Sequence, residues 1–339
     1  QVIAEAPGRS PIEVEKLVTF PIEVQMTGLP KLVELRSLSK FGLSMVTVVF
    51  EDTVDIYFAR QLVLERLIEA KENLPEGVET ALGPISTGLG EIYQYTLERP
   101  QEPMVKDKTE DLIELRTIQD WIVRPILKTI SGVADVNSFG GYVKQYQVII
   151  DPEKLAKYDL TLREAFEAIA ANNSNAAGNI IEHSAEQYLV RGIGLIQSID
   201  DIKDIIIKEK EEVPIYVSNI AEVKIGPETR QGALVVDGKG EGVAGIVMML
   251  KGESGKEVVE RVKNKVKEIN ASKVLPAGIK LKPFYDRTGL VEKCLETVIK
   301  ALQEGGILVV IILFLFLGNA RTAFIVFTTL PLASLITFI

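Results

Sequence analysis

The sequence predicts an α+β fold: ferredoxin-like split βαβ units, one carrying an insertion, followed by transmembrane α-helices. Three observations predict it. First, a strand, a helix, a Leu-Pro-x-Gly turn and a strand occur twice. "SMVTVVFED" precedes "FARQLVLERLIEAKENLPEGVETAL", and "GVAGIVMMLKG" precedes "GKEVVERVKNKVKEINASKVLPAGIKLKPF". This order is half of a split βαβ sandwich, so finding it twice points to two related units. Second, from about Val143 to Arg230 the pattern loosens into short strands and polar hairpins, as an insertion would. Third, the chain closes on "GGILVVIILFLFLGNARTAFIVFTTLPLASLITFI", where Arg321 is the only charge after Glu304. A spanning helix takes about 20 apolar residues, so two spans are expected around the short "GNAR" turn.

Each helix has its own signal. "SPIEVEKLV" places Ser10 at an N-cap, Pro11 at the first helical position and Glu13 at the third, which is a capping box. In the first echoed helix Val63, Leu67, Ala70 and Leu74 share one face; in the second Val258, Val262, Val266 and Ile269 do. "DLIELRTIQDWIVRPIL" aligns Leu112, Leu115, Ile118, Ile122 and Ile126, with Pro125 kinking its end. A strand, "GVADVNSFGG", and another, "KQYQVIID", follow it. "TLREAFEAIAANN" repeats the capping box with Thr161 and Glu164. Within the insertion, "NNSNAAGNIIEHSAEQYLV" reads as a projecting arm and "KEKEEVP" as a charged hairpin tip. Finally "DRTGLVEKCLETVIKALQEGG" is an amphipathic helix that runs directly into the first apolar segment.

Composition narrows the function classes. The 38 basic and 47 acidic residues leave a net charge of −9, and no basic stripe is present, which argues against a nucleic-acid partner. Cys294 is alone, so no disulfide framework exists, and a buried thiol is expected there rather than a metal ligand. His183 is also alone, which excludes His-rich zinc sites. There is neither an initiator Met nor a signal peptide at "QVIAEAPGRS", and the last residue is still apolar; the chain reads as an internal piece of a longer membrane protein. The positive-inside rule puts the Arg321 turn in the cytoplasm and the body on the opposite face.

Eight stretches in order, "PGRSPIEVEKLVTFPIE", "SKFGLSMVTVVFED", "LPEGV", "GPISTGLGEIYQYTLE", "LRTIQDW", "GVADVNSFGG", "KQYQVIIDPEKLAKYDLTL" and "YDRTGLVEK", resemble the resistance–nodulation–division efflux pumps, in particular their heavy-metal branch. The resemblance implies a first porter subdomain at residues 1–90 and a second at 91–142 and 231–287. It further implies a docking subdomain inserted at 143–230, a linker and second transmembrane helix at 288–318, and the start of a third at 320–339. It also implies a homotrimer in the inner membrane, with residues 1 to about 290 in the periplasm, driven by protons and working with a periplasmic adaptor (membrane fusion protein) and an outer-membrane channel. Pumps of this kind are transporters, not enzymes. The arm is the candidate for interlocking neighbouring protomers; an ordinary surface hairpin is the other reading.

Residues 305–339 contain no Asp, Glu, His or Lys, so the proton relay lies elsewhere in such a pump. No cofactor is expected. The implied substrate is a divalent cation (zinc, cobalt, cadmium or nickel) or Cu(I)/Ag(I). Soft ions favour thioethers, yet Met248 and Met249 are adjacent on a strand and face opposite sides, and Met26 and Met45 sit in apolar segments. For a divalent ion the candidate metal ligands are Glu91, which opens a strand after two glycines, and Asp135, on the strand after the next helix. If those strands are neighbours, the two hard carboxylates approach each other and need further ligands to hold a cation. Solvation or an ion pair is the alternative for each. Asp107, Glu110, Asp111 and Glu114 crowd a helix start, where acids favour the helix dipole, and the Glu209–Glu212 run reads as a solvated turn. A drug or amphiphile exporter of the same fold remains an alternative, although aromatics are only 6%. So does a membrane-anchored sensor or export accessory.

Overall fold

The computed structural model describes residues 1–99, 108–183, 186–210, 212–230, 232–276, 278–317 and 325. Its elements run β1 (Val2–Glu5), α1 (Pro11–Val14), a π-helical turn (Glu15–Thr19), α2 (Phe20–Met26), β2 (Leu32–Lys40), β3 (Leu43–Phe50), α3 (Ile56–Lys71) and β4 (Glu79–Leu82). A 3-10 turn (Gly88–Gly90) leads to β5 (Glu91–Glu98), α4 (Lys108–Ile118), a second π-helical turn (Gln119–Val123), α5 (Arg124–Lys128) and β6 (Val133–Gly140). Then come β7 (Lys144–Ile150), α6 (Pro152–Tyr158), α7 (Leu162–Ala171), β8 (Ala176–His183), β9 (Glu186–Gly192), α8 (Ile199–Lys203), β10 (Ile206–Lys210), β11 (Val213–Tyr216), α9 (Val217–Ile220) and β12 (Ala221–Pro227). The chain continues through β13 (Val235–Val236), β14 (Gly240–Glu241), β15 (Val243–Met249), α10 (Gly255–Ala271), β16 (Lys280–Asp286) and α11 (Arg287–Leu317).

The duplication read from the echo is present in the sheet topology. The first four-stranded sheet has the order β2-β3-β1-β4, and the second, read from its other edge, β6-β15-β5-β16. Matching strands by their place in each repeat gives the same order twice. In the second sheet the chain from β7 to β14 is inserted between the strands equivalent to β2 and β3. Contact density divides the chain into two compact units, Gln1–Ile92 with Ile130–Asp135 and Val247–Val259, and Tyr93–Thr129 with Val136–Ile246 and Glu260–Ile339.

In the first unit Val14, Val18, Ile22 and Met26 of the first helix pack with Val63, Leu67 and Ala70 of α3 beneath Val2, Ala4 and Val46 of the sheet. Each of these larger apolar side chains contributes roughly 1.5–3 kcal/mol on burial. The capping box at Ser10 forms as expected, with the Glu13 carboxylate accepting from the Ser10 N–H at 2.8 Å. In the second unit the inserted elements have a core of their own, built on Leu160, Ala165, Ile202, Ile215, Val217, Ile220 and Val223. β8 and β9 form the expected hairpin arm, with β9 exposed along its length. β10 and β11 form the charged hairpin.

The two π-helical turns were not foreseen, and they share a cause. Each ends two residues before a proline, Pro21 or Pro125. A proline offers no N–H to the carbonyl four residues earlier and its ring collides with it. Those carbonyls belong to Leu17 and Trp121, both inside the π turns, where the wider i→i+5 spacing lets them step aside. The extra residue rotates the buried stripe by one position. After Leu112, Leu115 and Ile118 the buried residues are Gln119, Val123 and Leu127, whereas Ile122 and Ile126 are half-buried, which corrects the expected face.

Cys294 is exposed on α11, not buried, because the flanks of that helix carry little packing against other described residues. The amphipathic helix does run unbroken into the apolar segment, as α11. Among the described residues no helix is long and apolar enough to cross a membrane. The first expected apolar segment, up to Leu317, lies within α11, whereas the second, 320–339, lies outside the described residues apart from Ile325.

Candidate functional site

The 3-10 turn fixes the start of β5. Gly90 is buried there because an added Cβ would lie 2.1 Å from Ser86 Oγ and 3.1 Å from the Met249 carbonyl oxygen. Glu91 follows at once and is exposed. On β6, Asp135 is half-buried and alternates with Val136 and Ser138. The Ser138 hydroxyl on the same strand donates to Asp120 on the second π turn.

The expectation that the two acid-bearing strands are neighbours is not met: β15 lies between β5 and β6. The Leu250 N–H donates to the Gly132 carbonyl at 2.9 Å, so the end of β15 runs beside the lead-in to β6 as well as beside Gly90. At about 4.8 Å per strand the two backbones are about 10 Å apart. The split βαβ order causes this, since the third strand of each repeat inserts beside the first. Among the described residues no three His, Cys, Asp or Glu side chains come together as a metal cluster. The acids at the start of α4 are engaged otherwise: the Arg99 guanidinium lies 3.2 Å from Asp111 Oδ1 and 2.8 Å from Glu114 Oε2. Burial is what pushes the Asp111 carboxyl up, with Arg99 opposing it. Asp107 and Met104 lie outside the described residues.

Met248 and Met249 do part as strand neighbours should. Met248 lines a cavity of about 460 Å³ with Val48, Phe50, Val63 and Arg60, while Met249 Sδ lies 3.8 Å from where a Cβ on Gly255 would be. Met26 is fully buried and Met45 half-buried.

What the sequence reading missed is a buried polar chain across the second sheet. The Tyr95 hydroxyl donates to Gln119 Oε1 at 3.0 Å, and Gln119 Nε2 donates to Ser138 Oγ at 3.3 Å. Ser138 donates to Asp120, whose other oxygen accepts from Arg116 Nε at 2.7 Å, and Arg116 Nη1 reaches the Gly140 carbonyl at 2.8 Å. Burial pushes the Tyr95 phenol far above its ordinary range, so its hydroxyl stays a protonated donor to Gln119, and pushes Tyr93 up to about 12. In the first unit the π turn has a smaller counterpart, Thr19, whose hydroxyl bonds those of Ser39 at 2.8 Å and Ser44 at 2.7 Å. The available signal was Gln119 at the end of an apolar stripe, six residues before a proline.

The AcrB/AcrD/AcrF family matches residues 1–339. The chain is 51% identical over 339 residues to the cobalt-zinc-cadmium resistance protein CzcA of Cupriavidus metallidurans, covering 100% of this chain and 32% of that protein. It is 40% identical over 334 residues to the cation efflux system protein CusA of Escherichia coli K12, covering 98% and 31%. A crystal structure of a heavy metal efflux pump superposes with a TM-score of 0.88 at 38% identity, covering 98% of this chain and 32% of that one. The chain therefore spans about a third of the length of the relatives it matches. The resemblance to heavy-metal resistance–nodulation–division pumps read from the eight motifs is borne out by these relatives, and this chain belongs to the AcrB/AcrD/AcrF family.

Proposed function

We propose that this chain is the periplasmic porter portion of a proton-driven heavy-metal cation exporter. The observation that carries the reading is the 51% identity over 339 residues, 100% of this chain, to a protein named for cobalt, zinc and cadmium resistance. Under this reading the two split βαβ repeats are porter subdomains (1–90, and 91–142 with 231–287), and 143–230 is the docking subdomain. α11 becomes the linker and second transmembrane helix, and 320–339 the start of the third. The protein acts as a homotrimer in the inner membrane, with residues up to about 290 in the periplasm. A periplasmic adaptor and an outer-membrane channel complete the export path, and the β8–β9 arm interlocks neighbouring protomers. Its substrate is a divalent cation (zinc, cobalt, cadmium or nickel) in preference to Cu(I) or Ag(I), because carboxylates and not thioethers are placed on the strands β5 and β6.

In this proposal Glu91 and Asp135 each offer one hard oxygen donor, and the remaining ligands come from parts of the protein beyond this chain. The two act as separate contributors, not as an adjacent pair, because β15 separates their strands. The test is growth of a strain deleted for the intact gene across titrations of zinc, cobalt, cadmium, nickel, copper and silver. Wild type, Glu91→Gln and Asp135→Asn are then returned on the same plates. Divalent-selective sensitivity that the acid variants fail to rescue is expected. Sensitivity to copper and silver alone, with both variants rescuing, would overturn the carboxylate assignment.

A further inference from the structure

The insertion leaves the second sheet through Gly140–Val143 and returns through Glu228 to β13 and β14, and both passages meet at one neck. The neck is tightly built. Gly140 and Gly141 have φ of 72° and 65°, and a Cβ on Gly140 would lie 2.2 Å from the Gly242 carbonyl oxygen. The Glu228 N–H donates to the Val143 carbonyl at 3.0 Å, and the Gly242 N–H to the Leu234 carbonyl at 3.0 Å. A cavity of about 500 Å³ remains beside these strands, with Arg116, Ser138, Glu228 and Arg230 among its walls.

Two guanidinium groups hold this neck from different sides. Arg230 sits on the returning passage; its Cζ lies 4.4 Å from the centroid of the Tyr142 ring on the outgoing passage. Its two terminal nitrogens grip Glu241 on β14 at 2.5 and 2.7 Å, a fork-to-fork arrangement that a lysine cannot reproduce. Arg116 on α4 donates to the Gly140 carbonyl, where the outgoing passage begins, while Asp120 fixes its other edge. Gly140 and Tyr142 are thus tied to α4 and to β14 respectively, and the ties involve side-chain charge and not only backbone pairing.

We propose that Arg230 and Arg116 form a two-arginine clamp that locks the insertion to the split βαβ module at its neck. The clamp is a conformational device: with it closed the insertion follows the sheet as one piece, and with it open the two passages separate and the insertion swings on the Gly140–Gly141 turn. This proposal does not depend on which ion the protein carries.

The test is amide hydrogen exchange of the full-length protein, comparing wild type with Arg230→Gln and Glu241→Gln. Both side chains are partly exposed, at 28% and 35%, so neither variant disturbs the core. Peptides covering 140–147 and 226–230 should exchange about tenfold faster in both variants, the size expected when a charge-assisted hydrogen bond is lost. Peptides from α10 should exchange as in wild type. Tyr142→Leu, which removes only the stacked ring, should speed the same neck peptides by less. Unchanged neck exchange in both charge variants would overturn the clamp. So would acceleration of the neck and α10 together, which would mean general destabilisation.

Discussion

The Tyr95 hydroxyl on β5 donates to Gln119 Oε1 at 3.0 Å, and Gln119 is fully buried inside a π-helical turn. The same amide donates to Ser138 on β6, so one side chain ties two strands of the sheet to the helix above them. Replacing Gln119 by Leu removes both partners and leaves the Tyr95 hydroxyl buried and unsatisfied. A loss of roughly 1–3 kcal/mol is expected, read as a lower urea midpoint with an unchanged slope. An unaltered midpoint would show that the chain contributes nothing to stability.

The π turn makes a prediction about neighbouring residues. A regular helix would bury Ile126, but the structure buries Leu127 completely and leaves Ile126 half-buried. Leu127→Ala should therefore cost about 2–5 kcal/mol, and Ile126→Ala clearly less. Equal costs, or the reverse order, would remove the register shift.

Gly245 on β15 lies under the Tyr95 ring, where an added Cβ would sit 2.3 Å from Cζ and from the hydroxyl oxygen. Because that ring is held by Gln119, it has little freedom to move aside. Gly245→Ala is expected to destabilise by about 1–3 kcal/mol through overpacking. A thermal melt that matches wild type would show that the ring yields after all.

A pH dependence follows from the capping box of α7. The Thr161 N–H, then the Lys208 ammonium and the Thr161 hydroxyl, hold the Glu164 carboxyl down at about 2 from an ordinary 4.5. The folded state thus binds this proton more weakly than the unfolded chain does. Its stabilising effect is complete above the ordinary carboxyl range and is lost as pH falls toward 2. An NMR titration should place the Glu164 midpoint near 2 and move it upward in Lys208→Met. A wild-type midpoint at the ordinary value would mean that the box is open in solution.

Local signals carried most of the architecture. The capping boxes at Ser10 and Thr161 and the buried faces of α3 and α10 were legible because each depends on residues three or four apart. The duplication was legible because both halves repeat the same turn, and the identical strand orders bear it out. For the candidate site, the sequence picked out Glu91 and Asp135 and their strands, but not their separation.

The residue order alone therefore determined the mixed α/β class, the repeat and the insertion, which rest on short-range periodicity and turn chemistry, and the family resemblance, which rests on the eight matching stretches. Only the tertiary structure decided that β15 inserts between β5 and β6, since strand neighbours are set by how helices cross the sheet and not by anything within a strand. It also decided the two π turns, where a proline's collision with a carbonyl is relieved against a sheet that accepts Gln119 or Thr19. The neck belongs to the same class: Arg116, Tyr142, Arg230 and Glu241 meet there only because the chain leaves the sheet and returns to it at one point.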